Sequence, residues 1–451
     1  MNDPFSTSAI TSGSPLLSSS SLFETMDLFI CQRSIQQVQE QKKAARVASN
    51  AKTQEVLKPG HILHSHSNSY KILEYIGEGT FGKVAKCLSL LTGETVAVKI
   101  FFQDTDCFLQ CELSILKHIS SLDYDETHLV KFFEHFQYMG NSCLVFELLD
   151  KSMFCLLEEN DWRPLSLSQI RCVAEELFLA LVTLKSLGVV HADIKPDNIM
   201  LVCDQRKLRA KLIDFGGAVL MSKIRHGMIV QALGYRAPEV TLGLPLTEAV
   251  DVWAVGCVLA FLCLGDNLFS KDCEYLMMKN IVELLGQPED HLLRAGIHTR
   301  FFFIEETGDD GPQWRLMTPE EFKLNNCMEV ERESRFAALP WSLRDLAKKV
   351  SPDHEMDLGA RFAFVDLMEK LLRINSSQRI TAHEALQHPF ITKSYLSHGD
   401  DLNCASSLND SDETVQSIPS SESRIERKCS CIKQIFSSVC CSCLCQQPVL
   451  D

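Results

Sequence analysis

A change of hydrophobic period near residue 149 sets the tightest limit on what this chain can fold into. From Tyr70 the apolar residues come in short alternating runs: Ile72, Leu73, Tyr75 and Ile76, then Val84, Cys87 and Leu88, then Val96 and Val98. Turn residues part them, among them Leu91-Thr92-Gly93-Glu94, and this is the period of paired strands. Beyond Leu149 the spacing becomes helical, as over 166–187, which opens on the capping box Ser166-x-x-Gln169 and stops at Gly188. The expected fold class is α+β and bilobal: a small antiparallel β lobe over 70–149, then a larger helical lobe over 150–391.

The flanks have another texture. Residues 1–69 open Ser-rich with no sustained apolar face and read as disordered, and 392–428 form an acidic, Ser-rich linker. His61, His64 and His66 lie in a Ser/Asn-rich stretch without Cys or carboxylate support and are given no role. Lys plus Arg number 44 against 59 Asp plus Glu, a net charge of −15, which argues against direct nucleic-acid binding. The most apolar run, 252–265, is shorter than the roughly 20 residues a membrane span needs, so it reads as a buried core helix. The first residues carry no secretory pattern, which leaves the cytoplasm or nucleus as the expected location.

Chemistry concentrates at five places. Gly77-Glu78-Gly79-Thr80-Phe81-Gly82-Lys83-Val84 fits a glycine-rich phosphate cradle, here between two strands rather than before a helix. Val96-Ala97-Val98-Lys99 puts Ala97 and Lys99 on one strand face. On the helical stretch that follows, Glu112 shares a stripe with Phe108, Ile115, Leu116 and Ile119, and a carboxylate there needs a cation, for which Lys99 is the candidate. His191-Ala192-Asp193-Ile194-Lys195-Pro196-Asp197-Asn198 and Lys211-Leu212-Ile213-Asp214-Phe215-Gly216 add two acids and an amide at strand ends. Hard oxygens for a metal, a lysine for phosphate charge and a carboxylate for an acceptor hydroxyl make up a Mg-nucleotide site.

In this order, and with Ala237-Pro238-Glu239, Asp251-x-Trp253-x-x-Gly256 and Arg379 after them, the motifs resemble those of the eukaryotic protein kinases over residues 70–391. His191-Ala192-Asp193, the segment at 143–149 and the run 184–201 are similar to the homeodomain-interacting protein kinases, relatives of the dual-specificity tyrosine-regulated kinases. The resemblance implies a serine/threonine kinase that uses ATP and Mg²⁺ and acts on protein substrates. Gly77, Gly79 and Gly82 would cover the phosphates, Lys99 would pair with Glu112 and bind them, and Asn198 with Asp214 would hold Mg²⁺. Asp193 would accept the hydroxyl proton and Lys195 would neutralise the transferring group. Adenine would lie among Val84, Ala97 and Met200, its edge read by the Glu147 carbonyl and the Leu149 amide, with Phe146 as gatekeeper. Asp251 would brace the loop at His191, and Arg379 would pair with Glu239. A catalytically weak kinase-fold scaffold is the alternative function, and retention of Lys99, Glu112, Asp193, Asn198 and Asp214 favours the enzyme.

Four positions depart from the family pattern: Ala192 for an arginine that grips an activation-loop phosphate, Ile229 for the autophosphorylated tyrosine, Leu233 for an arginine associated with accepting proline after the phosphorylated residue, and Gly217 after Asp-Phe-Gly. Ordering by phosphotyrosine is therefore not expected. Of the 19 cysteines, six crowd the tail at 429–451: Cys429, Cys431, Cys440, Cys441, Cys443 and Cys445. Near them stand Arg424, Arg427, Lys428 and Lys433 with Ile432, Ile435, Phe436 and Leu444, which suits reversible membrane attachment through acylated cysteines. Zinc binding, and a tail of merely reactive thiols, are the competing readings.

Overall fold

The computed structural model describes residues 57–79, 81–102, 106–120, 127–202, 208–308, 311–330, 342–346 and 358–394. Its first part is a six-stranded, wholly antiparallel sheet in the order β1-β2-β3-β4-β6-β5, built from β1 (Ile62–His64), β2 (Ser69–Glu78), β3 (Gly82–Ser89), β4 (Thr95–Phe101), β5 (Phe132–Tyr138) and β6 (Asn141–Glu147). Strand alternation sends Ala85, Cys87, Val96, Val98, Ile100, Cys143 and Val145 to one buried cluster. The opposite face carries Val84, Ala97 and Lys99, with Val84 directly across from Lys99. The sheet curls until its two edges meet. Glu134 of β5 accepts hydrogen bonds from Tyr70 (2.6 Å), Ser65 (3.0 Å) and Ser67 (2.8 Å) at the β1–β2 turn, and Tyr70 stacks on Phe136.

That closure shows a strand within the stretch read as disordered. Strand β1 precedes residue 70, and Leu63 is fully buried, so 62–64 join the sheet although their Ser/His/Asn surroundings hide it. Only three residues pair, too few to show an alternating pattern.

Helix α1 (Asp106–Ile119) lies between β4 and β5 in the chain, and its Leu109, Leu113, Ile115, Leu116 and Ile119 join the main core together with the helical lobe. After β6 come α2 (Met153–Glu159) and α3 (Leu167–Ser186), the latter with the capping box of Ser166 and Gln169 formed and Gly188 left-handed at φ 64°. Four short strands follow: β7 (Val189–Val190) pairs with β10 (Val219–Leu220), and β8 (Ile199–Val202) with β9 (Arg209–Leu212). Helices α4 (Pro238–Leu242) and α5 (Ala249–Leu264) complete the platform, and α5 is buried from Val250 to Cys263, which is what the apolar run requires. Among the described residues no helix is long and apolar enough to cross a membrane.

Candidate active site

Charge is the organising element of the cleft. Lys99, on β4, donates to both Glu112 oxygens at 2.8 Å, so the pair inferred from the helical stripe is formed. The ammonium also reaches Asp214 Oδ1 at 2.9 Å, a contact that sequence spacing does not reveal. Burial by itself would lower the Lys99 pKa; Asp214 and Glu112 outweigh it and raise it. Burial likewise works against the Asp214 carboxylate, yet Lys99 holds its pKa below the ordinary value. The site therefore fixes an ammonium and a carboxylate, both charged, out of bulk water. Glu112 is pushed up to about 7 by burial, against the pull of Lys99.

Asp193 lies in a second knot. Lys195 donates to its Oδ2 at 2.9 Å, and the Asn198 amide donates to the same oxygen at 3.0 Å and to the Asp193 carbonyl at 2.8 Å. Among the described residues Oδ1 of Asp193 has no hydrogen-bond partner, although it is buried. Oδ1 is therefore the oxygen of this carboxylate for which no described protein group competes. Burial raises the Asp193 pKa to about 6, with Lys195 opposing.

The loop that carries these groups is braced from beneath. Asp251 on α5 accepts from the His191 N–H (2.7 Å) and the Ala192 N–H (2.9 Å). Burial drives the His191 pKa down to about 4, so the ring is neutral near pH 7. Its Nε2 donates to Ile213 O at 3.0 Å, and Nδ1 accepts from the Asp193 N–H at 3.3 Å, so its partners fix the tautomer. Ala192 is left-handed at φ 60°, and so is Asp214 at φ 62°. Arg379 and Glu239 form the expected buried bridge at 2.6 and 2.9 Å.

The glycine-rich turn has a structural demand of its own. A Cβ on Gly82 would run into the Ile100 carbonyl oxygen, so the close pairing of β3 with β4 already requires glycine there. Gly77 and Gly82 sit on β2 and β3, and Gly79 donates its N–H to Gly82 O at 2.8 Å. Met200 lies on β8, Glu147 ends β6, and Leu149 follows it in the crossing to α2. The side chain of Glu147 is engaged by Lys211 at 2.6 Å.

The protein kinase domain model matches residues 70–391. The chain belongs to the protein kinase family. Its kinase domain is 41% identical over 344 residues to mouse homeodomain-interacting protein kinase 1, covering 74% of this chain and 28% of that protein. Over 349 residues it is 36% identical to mouse homeodomain-interacting protein kinase 4 (74% and 57%), and over 348 residues 36% identical to the Caenorhabditis elegans homeodomain-interacting protein kinase 1 (73% and 41%). The chain thus spans less than a third of the length of mouse homeodomain-interacting protein kinase 1.

Residues that motif reading misses also shape this kinase site. Gln231, left-handed at φ 67° and buried, donates from its N–H to Ala192 O at 3.0 Å, from Nε2 to Val250 O at 2.8 Å, and accepts from the Ala237 N–H at 2.9 Å. Its carbonyl is taken by Arg236 at 2.9 Å, and Arg236 pairs in turn with Glu274. No local sequence pattern marks such a residue, because its bonds to Ala192 and Val250 go to backbone well away in the chain.

Proposed function

We propose that this chain is a protein serine/threonine kinase that transfers the γ-phosphoryl group of Mg-ATP to hydroxyls of protein substrates. One observation carries the reading. The buried Lys99–Glu112–Asp214 triad and Asp193, with Oδ1 open, are linked by the bond from the Ile213 N–H to Asn198 O at 2.9 Å, immediately before Asp214. The donor chemistry suits the metal: Asn198 spends its amide N–H₂ on Asp193 and keeps its amide oxygen, and Asp214 offers a carboxylate, both hard oxygens of the kind Mg²⁺ takes. When bound, Mg-ATP supplies the phosphoryl group and the metal charge that offsets its oxygens.

The chain's own residues do the rest. Lys99 presents a fixed positive charge to the phosphates, and Gly77, Gly79 and Gly82 let the strand turn approach them. Val84, Ala97 and Met200 flank the base, whose edge meets the Glu147 carbonyl and the Leu149 amide. Asp193 Oδ1 accepts the proton of the attacking hydroxyl, while Lys195 and Asn198 hold Oδ2 and so aim the carboxylate. Incorporation of radiolabelled phosphate into a mixed Ser/Thr substrate, lost in Asp193→Asn, tests this. Equal incorporation by the two proteins would leave a scaffold.

For the tail, which lies outside the described residues, the proposal is reversible membrane attachment. One acyl chain anchors only marginally, and six thiols with four nearby cations meet the need for a second signal. Fractionation against a variant with all six cysteines changed to serine, with hydroxylamine release of lipid, separates this from zinc binding and from free thiols.

A further inference from the structure

The crossing between the lobes is tied by more than its backbone. Glu147 closes β6, and its carboxylate is turned toward the start of β5 and toward β9. Its Oε1 accepts from the Lys131 N–H at 2.7 Å and from Lys211 Nζ at 2.6 Å, while its own N–H donates to Lys131 O at 3.0 Å. The segment holding Lys131 is pinned to β9 in turn: Leu212 N–H donates to His128 O (2.9 Å), and Val130 N–H to Leu212 O (3.0 Å). Just past Glu147, Asp150 N–H donates to Leu201 O at 2.9 Å, and Leu201 N–H to Lys151 O at 2.8 Å. One cation, Lys211, sits where these ties converge.

Its position in the sheet matters as much. Lys211 is the cross-strand partner of Met200 and stands three residues before Asp214. Its side chain is 8% exposed and that of Glu147 23%, so the pair is largely out of solvent and screened little by salt. Among the described residues it makes one ion pair, with Glu147.

We propose that Lys211 is a positioning residue for nucleotide binding. Through Glu147 it holds the inter-lobe strand end in the place where the adenine edge is read, and through β9 it keeps that place in register with Met200 and Asp214. The inference rests on the kinase reading above and deepens it, because it assigns the fixed geometry of the hinge to one buried charge pair rather than to chain stiffness. Preorganisation of this kind acts on affinity, since a hinge that must be ordered by the ligand binds it more weakly.

The test is calorimetric titration of Mg-ADP into full-length protein, with thermal midpoints and steady-state kinetics on the same samples. Lys211→Met keeps the stem and leaves the Glu147 carboxylate, 23% exposed, still accepting from the Lys131 N–H, so the fold should survive. It should weaken Mg-ADP about tenfold and raise KM for ATP to match, with kcat changed less than about threefold. Lys211→Arg should recover most of the loss. Glu147→Gln should weaken binding as well, and the double variant Lys211→Met/Glu147→Gln should be no weaker than the worse single, as a coupled pair demands. Nucleotide affinity within about twofold of wild type in Lys211→Met, with only the thermal midpoint lowered, would make Lys211 structural and overturn the inference; so would additive losses in the double variant. Absence of Mg-ADP binding by the wild type would sink the kinase reading itself, and this inference with it.

Discussion

The cleft and the activation segment that follows it solve the same problem, holding a polypeptide loop in one place, by opposite means. In the cleft, charge holds charge: Lys99 with Glu112 and Asp214, Lys195 with Asp193, and Asp251 with two backbone amides. In the activation segment, 218–234, the anchors are backbone bonds, apolar packing and the neutral Gln231 amide, with the Arg236 guanidinium capping the Val230 and Gln231 carbonyls at its end. Strand β10 pairs with β7, Met221 N–H donates to Gly188 O at 2.8 Å, and Gln231 N–H to Ala192 O at 3.0 Å. Val219, Leu220, Met221, Ile224, Met228, Ile229 and Leu233 are half-buried against the main core. A loop fixed by charge can be loosened by neutralising one group. A loop fixed by packing, backbone and a neutral amide offers no charge within it to neutralise.

The largest effect should come from the charged side of that comparison. Asp193→Asn keeps the shape and removes the proton acceptor, so phosphotransfer should fall by roughly 10²–10⁴-fold, while nucleotide binding changes little. Lys99→Met should be comparably severe, because it strands two buried carboxylates as well as removing the phosphate contact. Transfer rates within tenfold of wild type in both variants would mean that the cleft is held for structure, not chemistry.

Next in size is the junction of the two regions. Glu239, in α4 just past the activation segment, and Arg379 are essentially without solvent exposure. Removing one partner of a buried pair costs about 3–5 kcal/mol. Glu239→Ala should therefore lower stability in chemical denaturation by about that amount, with Arg379 left facing only neutral partners, the Arg373, Ala249 and Ile374 carbonyls and the Trp253 ring. A loss under about 1 kcal/mol would show the bridge to be solvated in solution.

These two regions also differ in how far they could be read before the structure. The charged cleft was legible because its chemistry needs particular side chains at particular spacings: Glu112 on an apolar stripe announces its need for Lys99, and the apolar strand before Asp214 announces an acid placed at its end. The capping box at Ser166 and the glycine at 188 announced the long helix in the same way. What stayed hidden was carried by backbone. Ala192, Asp214 and Gln231 adopt positive φ without being glycine, and nothing in their identity shows it. Strand β1 hid in polar composition, and the requirement for Gly82 came from the Ile100 carbonyl on the neighbouring strand rather than from a ligand. The ion pair of Glu147 with Lys211 joins residues 64 apart in the chain, with no motif between them.

A smaller, graded effect should appear with pH. Burial raises the Asp193 pKa to about 6, above the usual carboxylate range, so the acid form persists to higher pH than in an exposed aspartate. Proton acceptance needs the carboxylate, which means that kcat/KM for a protein substrate should fall as pH drops through about 6, approaching tenfold per unit, with protonation of Glu112, pushed up to about 7, adding to the loss from slightly higher pH. His191 does not contribute a limb there, since its own pKa is driven down to about 4. A profile flat down to pH 5 would assign the limiting step to something other than Asp193.

The smallest expected effect is none, and it tests the comparison most directly. Over 214–239 the hydroxyl groups are Ser222 and Tyr235. Tyr235 is buried and donates to Asn267 at 2.6 Å, so its oxygen is committed to packing the loop against the helical lobe. Ser222 is exposed, and Ile229, which the family resemblance matches to a tyrosine position, is half-buried against the core. With Ala192 in place of the phosphate-gripping arginine, and its carbonyl already bonded to Gln231, a phosphate on this segment has no built receptor in the catalytic loop. Treatment with a broad phosphatase, and Ser222→Ala, should each leave kcat/KM within about twofold of the untreated wild type, because the ordering free energy comes from apolar burial and backbone pairing that no phosphatase touches. Loss of activity on dephosphorylation, with the phosphate mapped to this segment, would show that packing alone does not hold it and that the two regions share one switch.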